Sequence, residues 1–117
     1  MDLEKMKKVS EIFQLCIEIN DFENRQRSIT GSKPTVFLNF SGHVAALDIQ
    51  VFEGGWEEQK EGNKKFCIYL DNYFKNLTGF AEEAIKQEHE IKAELDSCIQ
   101  YLKYIKEGSC ERLQQVI

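Results

Sequence analysis

Apolar positions recur along this chain in three successive rhythms. Residues 3 to 22 bring Leu3, Met6, Val9, Ile12, Phe13, Cys16, Ile17, Ile19 and Phe22 at steps of mostly three and four, with Glu, Lys and Gln between them. That spacing predicts an amphipathic helix with a broad apolar face. A polar stretch from Glu23 to Ser28 follows, and Thr30-Gly31-Ser32-Lys33-Pro34 breaks any helix. After Pro34 the period falls to two. Val36, Leu38 and Phe40 form one alternating run, Ala45, Leu47, Ile49 and Val51 a second, and Phe66, Ile68 and Leu70 a third. These read as three antiparallel strands, the first pair joined by a turn in which Gly42 is free to take positive φ. Gly54-Gly55 ends the second run.

The third rhythm is a single stripe from Thr78 to about Glu107. Ala84, Glu88, Ile91, Leu95, Cys98, Leu102 and Ile105 alternate steps of four and three, the repeat of a coiled-coil seam. Such a seam calls for a partner helix and, together with the aromatics Phe37, Phe52 and Tyr69 of the outer sheet face, motivates a homodimer. Glu88 reads either as a register-setting polar residue or as the stripe's edge, with Ile85 making the core contact. Thr78 suits an N-cap, with Glu82 and Glu83 at the positive end of the dipole and Lys103 and Lys106 at the negative end. Gly108 suits a C′ position, with Ser109 to Ile117 as an extra turn packing back. The expected architecture is α+β, in the order α-β-β-β-α: one domain over residues 1–117. Its three-stranded antiparallel sheet carries the two long helices, mutually antiparallel, on one face.

Alternation divides the sheet into two unlike faces. Val36, Leu38, Leu47, Ile49, Val51, Ile68 and Leu70 form an aliphatic face that should lie under the helices. The other face offers Phe37, Phe52 and Tyr69, with Trp56 in the following loop. Exposed aromatics of this kind often mark an association surface; a loop or the C-terminal tail could equally cover them.

Composition changes this picture little. In 117 residues, 42% hydrophobic and 30% charged content with a single Pro fits a folded domain rather than a linker. The charged N-terminus predicts no secretory signal, and no apolar run reaches the ~20 residues of a membrane span. Four cysteines, Cys16, Cys67, Cys98 and Cys110, share no CxxC spacing, which points to a reduced, cytoplasmic chain without structural zinc.

The formal charge of −5 is concentrated in Glu53, Glu57, Glu58 and Glu61 and in the first half of the last stripe. Acids repel a phosphate backbone, so direct nucleic-acid binding is not expected. They leave two readings, a solvated surface or a docking site for a basic protein.

Chemistry-bearing patterns are sparse. His89-Glu90 lacks the second histidine of a zincin helix, because Ala93 holds that position. His43 stands alone in the first turn, with Asp48 the nearest acid in sequence. Gly54-Gly55 precedes Trp56 and no helix, so it cannot cradle phosphate as a helix N-terminus does. No enzyme, cofactor or metal site is expected from these residues, a small metal-dependent enzyme at His43 being the remote alternative.

The stretch KPTVFLNFSGHVAALDIQVFEGGW resembles a segment of small proteins encoded by phages and prophages of Gram-positive bacteria. The matching residues are Phe40, Ser41, Gly42, His43, Val44, Gly55 and Trp56. The resemblance carries no activity with it. It implies a setting in which small acidic proteins bind host proteins, including restriction and CRISPR nucleases, or serve in virion assembly. The expectation is therefore a non-enzymatic protein-binding module, an anti-CRISPR or anti-restriction inhibitor in its sharpest form. Trp56 is the expected anchor, with Glu53, Glu57, Glu58 and Glu61 around it and Phe37, Phe52 and Tyr69 beside it; Trp56 as a lid on the core is the competing reading.

Overall fold

The computed structural model describes the backbone of residues 2–71 and 81–115, and the side chains of residues 2–71 and 87–108. Its elements run α1 (Leu3–Asn20), α2 (Arg27–Thr30), β1 (Thr35–Ser41), β2 (Ala46–Phe52), β3 (Lys64–Tyr69) and α3 (Ala81–Gln115). The strands form one antiparallel sheet in the order β1-β2-β3, with Val36 opposite Val51 and Leu47 opposite Ile68. This is the α+β fold that the patterning predicts, with one helical turn, α2, that it does not.

The core lies between the aliphatic sheet face and both long helices. Ile12, Leu15, Cys16 and Ile19 of α1 meet Val36, Leu47, Ile49, Val51 and Ile68, together with Ile91, Leu95, Cys98, Leu102 and Ile105 of α3. All five of those α3 residues belong to the seam, and each is at most 3% exposed. The partner helix that the seam requires is therefore α1 of the same chain, and the seam no longer argues for a second copy. Thr78, and the side chains of Glu82, Glu83, Ala84, Ile85, Cys110 and the tail, lie outside the described residues.

The helices are parallel, not antiparallel. Lys5 pairs with Glu88, Lys8 with Asp96, Lys103 with Glu11 and Lys106 with Glu18, so the two sequences ascend together. Parity explains the direction. Between α1 and α3 the chain reverses four times, through three antiparallel strands, and an even number of reversals restores the starting sense. Glu88 is a half-buried seam residue whose carboxylate lies 2.5 Å from Lys5 Nζ, which also donates to Leu70 O.

Two glycine expectations also fail. Gly108 is inside α3, which runs on to Gln115; one helical glycine costs only about 1 kcal/mol, and Glu111, Arg112, Leu113 and Gln114 are good helix formers. In the first turn the positive φ falls on Ala45, at 51°, and not on Gly42.

Local chemistry fixes the element ends. Asp2 caps α1 by accepting from the backbone N–H groups of Glu4 and Lys5. At the other end Asp21 takes a left-handed conformation, and the Arg25 guanidinium donates to Ile19 O and Asn20 O.

These contacts give folding a definite pH dependence. The backbone bond from Lys5 holds the Asp2 carboxyl below its ordinary value, and Lys106 and Lys33 do the same for Glu18 and Glu23 through side-chain hydrogen bonds. A carboxylate lowered on folding stabilises the fold above its unfolded value and loses that contribution as pH falls through the lowered one. Hydrogen bonds from Lys8 to Asp96 and from Lys92 to Glu4 raise the two ammonium groups, whose contribution is full below 10.5 and lost above it. The denaturation midpoint should accordingly hold a plateau through neutral pH, fall below about pH 4.5 and fall again in strong base. A midpoint that rises on acidification would contradict this pairing.

Candidate protein-binding site

Trp56 is pinned by its backbone. Its N–H donates to Arg25 O at 3.1 Å, and its carbonyl accepts from Arg27 N–H at 2.8 Å, a one-residue parallel bridge between two loops. Trp56 is half-buried. Gln26, Arg27, Ser28, Trp56, Glu57 and Glu58 line an open depression of about 440 Å³ around it. Arg27 closes onto Glu57 at 2.6 Å and Lys60 reaches the same carboxylate at 2.9 Å. Lys60 foremost, then Arg27, holds the Glu57 carboxyl below its usual range.

The other expected site residues are divided among different places. Glu53 is turned toward α3, where it accepts from the Tyr101 hydroxyl, while its own N–H donates to Asn63 Oδ1. Tyr101 also packs its ring on Phe66, and burial foremost, then the bond to Glu53, pushes its hydroxyl well above the ordinary tyrosine range. Glu53 thus helps hold the loop to the core and is not part of a rim. Glu58 and Glu61 are exposed.

Phe52 is a correction. It is only 4% exposed, against 41% for Phe37 and 45% for Tyr69. Its ring leans on Phe37 at 5.3 Å, and Thr35, directly across the ladder from it, donates to Arg25 O. The loop after α1 therefore closes this end of the outer face and leaves Phe37 and Tyr69 accessible. Sequence could not show this, because nothing local to Arg25 or Trp56 announces a contact about thirty residues away.

Other reactive groups are quiet. His43 is exposed in the first turn. Among the described residues no three His, Cys, Asp or Glu side chains gather as a metal site would require. The described cysteines are free thiols; burial pushes Cys16 and Cys98 up to about 12, and the hydrogen bond with Asp48 raises Cys67. Raised thiols are poor nucleophiles. No helix among the described residues is long and apolar enough to cross a membrane. Compared with family models, curated proteins and solved structures, the chain finds no match.

Proposed function

We propose that this chain is a non-enzymatic protein-binding module of the phage type, acting in the host cytoplasm by docking a host protein against the Trp56 loop. A nuclease of host defence, of the restriction or CRISPR kind, is the target class that the phage resemblance favours. One observation carries the docking surface: a half-buried aromatic side chain on a loop fixed at both its N–H and its carbonyl. A fixed aromatic loses little conformational freedom on binding, and with a partner docked the charged neighbours Arg27 and Glu58 would form the rim that shields it from water. Glu58 and Glu61 would favour a basic surface opposite, at a distance where added salt weakens the encounter. The free thiols agree with a reducing compartment. Two copies of the chain make up the module.

Trp56→Ala tests the surface. The backbone bonds of residue 56 do not need the indole, so the variant should melt with the wild type and lose capture of its host partner. An inhibitor also titrates that partner's activity at a fixed ratio, whereas an assembly factor copurifies with virion components. A variant that unfolds, or one that still captures the partner, overturns the assignment.

A further inference from the structure

Strand β1 is an edge of the sheet, and only one of its three outward-facing rungs is blocked. Asn20 holds Val36 at both backbone groups: its Nδ2 donates to Val36 O at 2.8 Å, and its Oδ1 accepts from Val36 N–H at 2.9 Å. Val36 therefore points its polar groups away from β2, and by the two-residue alternation of an antiparallel ladder so do Leu38 and Phe40. Among the described residues no strand lies on that side. The side-chain amide imitates a neighbouring strand for one rung and leaves two rungs open.

Above this edge, the flank of α1 turned away from α3 carries Met6, Val9, Phe13 and Ile17 at steps of three and four, without a charge. The ion pairs to α3 use Glu4, Lys5, Lys8, Glu11 and Glu18 instead. Hollows open between flank and edge, one lined by Met6, Val9 and Phe40 together with the charged Asp2, Lys5 and Asp71, the other by Phe13, Phe22 and Leu38. Phe22 is the extreme case: 91% exposed, with a left-handed φ of 52° that a bulky side chain rarely adopts.

We infer that a second copy of this chain occupies this face. The inference rests on the dimeric form of the function above and names its surface. With the two-fold axis at Asn39, Leu38 of each copy exchanges backbone hydrogen bonds with Phe40 of the other. The result is a continuous six-stranded sheet, with the two α1 helices antiparallel above it. Phe13 then lies nearest the axis, and Phe22 of one copy approaches Leu3 of the second copy. The area is adequate. Leu3, Met6, Phe13, Phe22 and Phe40 are 79%, 45%, 54%, 91% and 57% exposed. At ~200 Å² per large side chain they offer about 600 Å² of the ~800 Å² each partner gives to a standard interface. Open edge backbone, Leu38 and Val9 supply the remainder. The strip itself is uncharged, and acids near its ends are paired within the chain, Glu23 with Lys33 and both Asp2 and Glu4 with Lys92, which limits like-charge repulsion between two chains of charge −5.

Size exclusion with light scattering at tens of micromolar should give twice the chain mass of 13.6 kDa, and the amides of Leu38 and Phe40 should gain exchange protection as concentration rises. Phe13→Asp should be monomeric. Phe22→Asn, at an exposed site whose backbone suits Asn, should stay folded with a dimer dissociation constant at least tenfold weaker. Trp56→Ala should dimerise normally, which separates failure of this interface from failure of the host-docking surface. A monomeric wild type, a monomeric chain that instead pairs its edge with a strand of a different protein, or a Phe22→Asn dimer as tight as the wild type overturns the inference.

Discussion

Leu95→Ala should lower folding stability by roughly 2–5 kcal/mol, the range for large-to-small changes in packed cores. Leu95 is fully buried in the α3 stripe, in one cluster with α1 and the aliphatic sheet face. Parallel helices flank it and the sheet closes it from below, so little can collapse into the space that truncation leaves. The measurement is a urea midpoint at fixed protein concentration with the slope unchanged. Tyr104→Ala on the same helix is the control, because Tyr104 is 68% exposed and its loss should fall within about 0.5 kcal/mol. A loss that small at Leu95 would remove it from the core.

Those two residues illustrate how much of this fold periodicity made legible. The stripe Ile91, Leu95, Cys98, Leu102, Ile105 is buried as its spacing demands, and the alternation of Val36, Leu47, Ile49, Val51 and Ile68 assigns the correct sheet face. Both signals are local and depend only on which side of an element faces apolar surroundings. Helix direction was also within reach, since counting reversals through three strands makes α1 and α3 parallel. Antiparallel packing would need an odd number of reversals between the two helices, and three strands supply an even one. The acidic load of α3 looked like a surface feature until the parallel register set Glu88 and Asp96 beside Lys5 and Lys8.

The candidate site was less legible, because its parts meet through loops. Glu53, Glu57, Glu58 and Glu61 form one cluster in sequence, yet Glu53 bonds Tyr101 and Glu57 bonds Arg27 and Lys60. Loop acids carry no period, so their partners depend on backbone turns that residue type does not encode. The Asn20 bridge to Val36 has the same origin. Asn at the end of a helix suggests a cap, and only the return of β1 alongside α1 turns that amide toward a strand edge.

Gly55→Ala should cost roughly 2–4 kcal/mol, combining a strained φ with overpacking, while Gly54→Ala one residue earlier should change stability by less than about 0.5 kcal/mol. The two glycines look equivalent in sequence. Gly55 has φ +94°, and a Cβ there would sit 2.8 Å from Gly31 O and 3.3 Å from Arg27 Cβ; at Gly54 a Cβ meets open space. A carbonyl belonging to the loop that closes over Phe52 cannot yield as a flexible side chain would. The strain at Gly55 would be passed to the adjacent bridge, where Trp56 bonds Arg25 and Arg27. Trp56 is the sole tryptophan, so its fluorescence reports that bridge directly. Gly55→Ala should shift the emission toward that of an exposed indole, and Gly54→Ala should leave it unchanged. Equal stability and identical emission in the two variants would mean that the loop after α1 is not packed against residue 55, and the fixed geometry of the Trp56 surface would fall with it.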